Sequence, residues 1–360
     1  MKENLEVILF LLLLLASVQG YGKKSGTKVY FRYLPYIMIF IFMSFRSDYG
    51  DGATYRIAFE YLHLGINPEG IEPLYMLLNQ ISPNFRTVVV VTSLFYVFAL
   101  YLVVSNTLNF AQRKFALMII ALHPYILMVD MSAIRQSVAI ACVVIGVYTG
   151  NRYKRVYYIA LCLIAALFHK SAIIMLPMFF LLKKGRFPKK AKLLLISATA
   201  LVIAVPNLLF KIVELLLKIV RLNTGNYLSY LYNGNKNGIL AVTLSLLMVA
   251  FFALFDNTIE KENSIYGNLA ILAMVFEALQ GVVQQFGRID MYFLPFLAIA
   301  LPLILKGEEK RLKINTSRGA LVFNQYICRF VELCFVLIFI WKLVNFMTPQ
   351  YMYRSVLFAS

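Results

Sequence analysis

The chain is 360 residues long, 61% hydrophobic and only 14% charged, with a mean hydropathy of +0.75. A soluble domain carries roughly 25% charged residues, so the composition excludes an ordinary water-soluble enzyme and points to an all-α, polytopic integral membrane protein forming a single domain over 1–360. The formal charge of +18 does not indicate nucleic acid, because the excess sits in short loops between apolar runs, as cytoplasmic loops do.

A membrane-crossing helix needs roughly 17–25 apolar residues. The apolar runs lie near 5–20, 29–45, 87–109, 115–131, 133–150, 156–182, 191–207, 239–255, 264–283, 290–305 and 321–346. They predict about 10–12 transmembrane or re-entrant helices. The first run is read as a membrane helix rather than a signal peptide, because Met1 to Glu6 is not basic and Lys23-Lys24 follows as a stop.

Basic residues set the orientation. They gather at Lys23/Lys24/Lys28/Arg32, Arg113/Lys114, Arg152/Lys154/Arg155, Lys183 to Lys192, and Lys306 to Arg318. If these share the cytoplasmic side, the intervening runs pair into hairpins whose tips face outside. The run 156–182 has basic clusters on both flanks and Phe168-His169-Lys170-Ser171 at its middle. One long helix would separate the clusters, so a short or re-entrant hairpin with its tip at 168–171 fits better.

Two outer segments follow. Residues 46–86 form an outer loop with amphipathic helices, carrying Asp48, Asp51, Glu60, Glu69 and Glu72. Within it, Ile71, Leu74, Tyr75, Leu78 and Ile81 recur at helical spacing behind Glu72-Pro73, a helix start. Residues 208–238 form a second outer loop. Its stripe of Lys211, Glu214, Lys218 and Arg221 predicts a surface helix, and a tyrosine- and asparagine-rich loop follows it. Tyrosine faces and amides suit sugar recognition, and interfacial tyrosines of a membrane belt look the same.

On this topology the unusual polar residues share one side: Asp130 and Arg135 at one tip, His169 and Lys170 at the next, Arg288 and Asp290 at a third. An arginine within hydrocarbon costs roughly 3 kcal/mol or more, which makes Arg135 a functional candidate by default. Glu277, Gln280, Gln284 and Arg288 fall near one face if a single helix runs through them, and Gly287 is placed to break that helix before Arg288. Each residue also has a structural reading. Asp130 and Arg135 could pair with each other, Lys170 could snorkel, His123 reads as a satisfied core histidine, and His63 as solvated. The four cysteines read as small core residues, and no DxD-like carboxylate pair or His/Cys cluster indicates a metal. Converging cations suit a lipid phosphate head group, since guanidinium forks bind phosphate oxygens bidentately.

Four pieces then carry a resemblance: Phe45-Arg46 with Gly50-Asp51-Gly52-Ala53-Thr54-Tyr55, Ile71-Glu72-Pro73-Leu74-Tyr75, Ile134-Arg135-Gln136-Ser137-Val138-Ala139, and Leu167-Phe168-His169-Lys170-Ser171-Ala172. In this order, with a later Gly287-Arg288-Ile289-Asp290-Met291-Tyr292, they resemble the EpsG-type family of Wzy-like bacterial polysaccharide polymerases. The family's first motif reads arginine, then Gly-Thr-Asp and a tyrosine. Here the segment is shifted, so Asp48 and Asp51 both stand as its carboxylate.

The resemblance implies a multi-pass protein of the bacterial cytoplasmic membrane. It implies a metal-independent, cofactor-free glycosyltransferase that joins undecaprenyl-diphosphate-linked oligosaccharide repeat units into exopolysaccharide, capsule or O-antigen on the outer face. Chain-length regulators and flippases are its expected protein partners, besides the lipid bilayer itself. It assigns Arg135 and Arg288, with Arg46, Gln136 and Lys170 as further candidates, to the substrate. Asp51, Glu72 or His169 would be the base, Asp51 first. A glycan ligase using the same donor is the alternative enzyme, expected to carry a long late outer loop. A flippase or transporter of the lipid-linked unit is the non-enzymatic alternative, expected to show internal repeats, and none relates the two halves.

Overall fold

The computed structural model describes residues 2–20, 30–47, 49–68, 70–205, 211, 215, 239–283, 285–314 and 318–346. These residues are helical throughout, without a β-strand. In chain order the helices are α1 (Lys2–Gly20), α2 (Tyr30–Ser44), α3 (Gly52–His63), α4 (Pro73–Ile81), α5 (Phe85–Thr107), α6 (Phe110–Leu122), α7 (Pro124–Ser132), α8 (Ile134–Arg152) and α9 (Arg155–Phe168). A 3-10 helix (Lys170–Phe180) follows, then α10 (Lys189–Ala204), α11 (Ile239–Phe255), α12 (Ser264–Gln280), α13 (Phe286–Asp290), α14 (Leu294–Ile314) and α15 (Arg318–Phe346). The predicted surface helix and tyrosine loop of 208–238 lie outside the described residues, apart from Lys211 and Leu215, both exposed.

The chain folds as two compact units, Met1–Leu182 with Leu301–Ser360, and Lys183–Ala300. In the first, α8 is buried along most of its length and packs against α5 and α9. Glycine permits that closeness: a Cβ added at Gly150 would lie 2.8 Å from the Tyr158 Cβ of α9. Helix α5 is N-capped by Asn84, whose Oδ1 accepts from the Thr87 N–H at 2.9 Å. Its 23 residues span about 35 Å, enough to cross a hydrocarbon core of about 30 Å.

Among the described residues α5 alone is long and apolar enough to cross by itself, and α6 with α7 makes a second candidate if that pair, bent by 50°, is one span. The bend corrects the reading of 115–131 as one uninterrupted run. Pro124 supplies no N–H and forces His123 out of helical geometry (φ −81°, ψ 113°). Among the described residues the His123 imidazole lacks the hydrogen bond that a satisfied core histidine would make. It is fully buried against Phe339, and neither ring nitrogen has a hydrogen-bond partner among the described residues.

The run 156–182 divides into two short helices. The chain leaves α9 at His169, which is extended (φ −158°, ψ 112°), and returns as the 3-10 helix. The Tyr158 hydroxyl donates to the Met175 carbonyl, and Arg155 lies 5.9 Å over the Phe179 ring, so the two legs run side by side in opposite directions.

In the second unit, α12 packs against α10 and α11. Lys192 pairs with the buried Asp256, and Arg186 donates to the Asp256 carbonyl at 3.2 Å. The helix carrying Glu277 does break before Arg288, but earlier than Gly287. Helix α12 ends at Gln280, and Arg288 rides on the separate five-residue α13. Gln284 lies outside the described residues.

Candidate functional site

Glu72 is the hub of the first unit's polar cluster. Pro73 starts α4 and leaves Glu72 in the extended conformation at its N-cap, with no side-chain capping bond. The carboxylate is therefore free of its own helix and turns to other elements. Its Oε2 accepts from Arg135 Nη1 at 2.7 Å. Its Oε1 accepts from the Lys170 backbone N–H at 3.2 Å, and lies 3.3 Å from His169 Nδ1. That histidine contact is within ion-pair range without being an aligned hydrogen bond. Only 5% of the Glu72 side chain is exposed. Burial pushes its carboxyl up, but His169, the Arg135 guanidinium and the Lys170 N–H outweigh burial and hold it at about 2.

Arg135 stands one residue into α8, behind a break at Ala133 (φ −90°, ψ 62°). The break turns it away from Asp130 and towards the α3–α4 connection. There Nη1 also donates to the Gly70 carbonyl at 2.9 Å. The guanidinium lies 5.5 Å over the Tyr55 ring and 6.0 Å over Tyr75, and those rings meet edge-on at 5.9 Å. Two aromatic faces and one carboxylate thus fix its direction. Asp130 finds a different partner. It is buried, and the Tyr96 hydroxyl lies within hydrogen-bonding distance of both its carboxyl and the Ile126 carbonyl.

The loop before α3 docks on the same break. The Asp51 N–H donates to Ser132 Oγ at 3.1 Å, and the Asp51 side chain is exposed. Gly50 makes the approach possible. Its φ is +55°, and an added Cβ would lie 2.0 Å from Ser132 Oγ. Upstream, Arg46 is buried, with Nη1 donating to Met43 O and to Ser93 Oγ at 3.2 Å. Arg86 donates to the Ser44 and Arg46 carbonyls at 2.8 and 2.6 Å and so fixes the end of α2.

Of the residues singled out in the sequence, Glu72, Arg135, His169 and Lys170 meet directly. Asp51 is tethered by its backbone N–H to Ser132, three residues before Arg135. Arg46 is linked to the cluster through Tyr75, on whose phenol both it and Arg135 act. Gln136 is buried beside Arg135 on α8. The Lys170 side chain is exposed, and among the described residues its ammonium makes no ion pair. Arg288 belongs to the second unit and is exposed there; Asp290 is buried. Asp48 lies outside the described residues. His63 is exposed as expected, its ring 4.1 Å from that of Phe59.

Tyr55, Tyr75, Ser132 and Tyr96 carry contacts that residue-by-residue reading did not assign. Tyr55 and Tyr75 stand inside the recognised motifs, and that was the available signal. Among the described residues no group of three or more His, Cys, Asp or Glu side chains is arranged to hold a metal ion. Chemically, the cluster is a cradle of a guanidinium, an imidazole and a backbone N–H, filled by one carboxylate.

The family model of the EpsG family matches residues 29–355. Neither a curated protein nor a solved structure matches the chain.

Proposed function

The chain belongs to the EpsG family, and from that premise we propose that it is a multi-pass Wzy-like polymerase of the bacterial cytoplasmic membrane. Family membership makes it a membrane protein of polysaccharide biosynthesis. The finer reading has it join undecaprenyl-diphosphate-linked repeat units into a surface polysaccharide, without a metal. One observation carries this. The four motif pieces, from Arg46 to Lys170, converge around one guanidinium and one carboxylate, although Glu72 and Lys170 are 98 positions apart.

The placement on the outer face rests on charge. Arg135 is the second residue of α8 and Arg152 its last, in a helix of 19 residues, or about 28 Å. Arg113, which donates to the Leu108 carbonyl at 2.8 Å, sits just past the end of α5, whose first residue Phe85 packs with Tyr75 and Ile134. The basic turns at Arg113 and Arg152 to Arg155 thus lie at the far ends of α5 and α8 from the cluster. Basic ends on the cytoplasmic side put the cluster outside.

In the proposed reaction the bond between the donor's anomeric carbon and its diphosphate oxygen breaks, and the acceptor sugar's hydroxyl oxygen bonds to that carbon. The electron pair leaves with the diphosphate, which Arg135 receives, with Lys170 reaching the same anion from its exposed position. Gln136 and Arg46 are further contacts to the lipid-linked substrates. The hydroxyl proton passes to a base. We assign that role to Asp51, whose exposed carboxylate stands on a loop tethered at Ser132. A carboxyl held at about 2 is a weak proton acceptor, since a base works best with a pKa near the working pH. Glu72 therefore positions Arg135 and His169.

A strain lacking its own copy tests this. Such cells are expected to lose long polysaccharide and accumulate single lipid-linked repeat units, and both defects are expected to reverse when the wild-type chain is restored. Lipid-linked units that remain polymerised in its absence would exclude the reading.

A further inference from the structure

One turn of α3 beyond Tyr55 lies a second feature that the diphosphate cradle does not use. A hollow of about 370 Å³ opens on the first unit, lined by Arg56, Phe59 and Glu60 of α3, Pro83 and Asn84 of the α4–α5 connection, and Phe85 and Arg86 at the start of α5. Binding pockets for small ligands run from about 300 to 1,000 Å³ and combine apolar walls with a few placed polar groups. This one has both.

Phe59 and Phe85 supply apolar faces, their centroids 6.0 Å apart. Arg56 lies 5.9 Å over the Phe85 ring. Arg86 is oriented by the backbone carbonyls of Ser44 and Arg46. Asn84 Oδ1 is occupied by the Thr87 N–H and hydroxyl, at 2.9 and 3.1 Å, so the amide has its N–H groups to offer. Glu60 is exposed. The charged side chains that line it are therefore Arg56, Arg86 and Glu60.

The hollow and the cradle share helix α3, which supplies Tyr55 to one and Phe59 to the other. Tyr55 and Phe59 are four residues apart on α3, hence neighbours on one helix face at about 5–6 Å. Tyr55 covers Arg135, whereas Phe59 lines the hollow and packs with Tyr75, Ile134 and Phe85. The hollow thus opens about one helical turn along α3 from the ring that covers Arg135.

We propose that this hollow is a saccharide subsite that takes a carboxylate-bearing sugar of the glycan while the diphosphate-linked end is held at Arg135. The proposal rests on the polymerase reading for what brings the glycan there. A pyranose has an apolar face for Phe59 or Phe85, hydroxyls for Glu60 and Asn84, and in a uronic acid a carboxylate for the Arg56 guanidinium.

The test uses the purified full chain in nanodiscs and a hexasaccharide alternating glucuronate and N-acetylglucosamine, compared with the same hexasaccharide after reduction of its carboxyls to alcohols. Isothermal titration is expected to show the acidic probe binding at least tenfold tighter than the reduced one. Arg56→Ala should remove that preference, and Arg56→Lys should keep part of it, with both variants matching the wild type's thermal midpoint. Equal affinity for the two probes, no binding of the acidic one, or an undiminished preference in Arg56→Ala overturns the subsite. The probe carries no diphosphate, so the two readings fail separately. Binding of the acidic hexasaccharide by a chain that forms no polymer supports the subsite and refutes the polymerase, whereas polymer formation with equal affinities refutes the subsite alone.

Discussion

Replacing Arg135 by alanine is expected to cut polymer formation by about 100- to 1,000-fold, the usual cost of removing one preorganised donor aimed at developing charge. The guanidinium is held by Glu72 and the Gly70 carbonyl beneath two tyrosine rings, so alanine removes a donor that is already aimed. Single lipid-linked units should accumulate in cells carrying the variant. Arg135→Lys should restore part of the activity, because it keeps the charge and loses the planar fork. Loss of Arg135 also leaves Glu72 buried with fewer partners, and breaking a buried pair from one side costs about 3–5 kcal/mol. The double variant Arg135→Ala/Glu72→Gln separates these effects. It should regain abundance in the membrane and remain inactive. Wild-type chain length in either Arg135→Ala background would remove the diphosphate role.

Glu72→Gln is expected to weaken the fold and release Arg135. A carboxyl held at about 2 in place of 4.5 contributes about 3 kcal/mol, to within a factor of two. The sign follows from the direction. Because the folded-state value is depressed, this stability is fully present above about pH 4.5 and is lost as the pH falls towards 2. The thermal midpoint of Glu72→Gln in nanodiscs should therefore lie well below that of wild type at pH 7, and the gap should close steadily between pH 4.5 and 3. A gap of equal size at pH 3 and pH 7 would show that the carboxylate's charge is not what holds the cluster.

The helical class and most element positions were legible because apolar runs near spanning length are a coarse, redundant signal. The α9 hairpin was legible for a sharper reason: a 27-residue apolar run flanked by basic clusters cannot be one helix without separating them, and the chain does turn back at His169. The bend at His123-Pro124 and the end of α12 at Gln280 were not read. Each depends on where one local break falls inside a continuous apolar stretch. Arg135 shows the other kind of loss. Asp130 is near it in sequence and was the natural partner, yet the break at Ala133 separates their directions and Asp130 turns to Tyr96. Its ion-pair partner, Glu72, stands 63 positions upstream, and periodicity carries no information about such a pairing. The motifs named the residues that meet; only the packing of α4 against α9 and α5 reveals that Glu72 is their hub.

The central claim is that this chain joins lipid-linked repeat units and that Arg135 receives the diphosphate. Purified protein incubated in vesicles with a defined undecaprenyl-diphosphate-linked repeat unit measures it most directly. The account predicts a ladder of products spaced by one repeat unit from the wild-type chain, and unreacted units from Arg135→Ala. Wild-type protein that carries the units across the vesicle membrane, or leaves them unjoined, would contradict it.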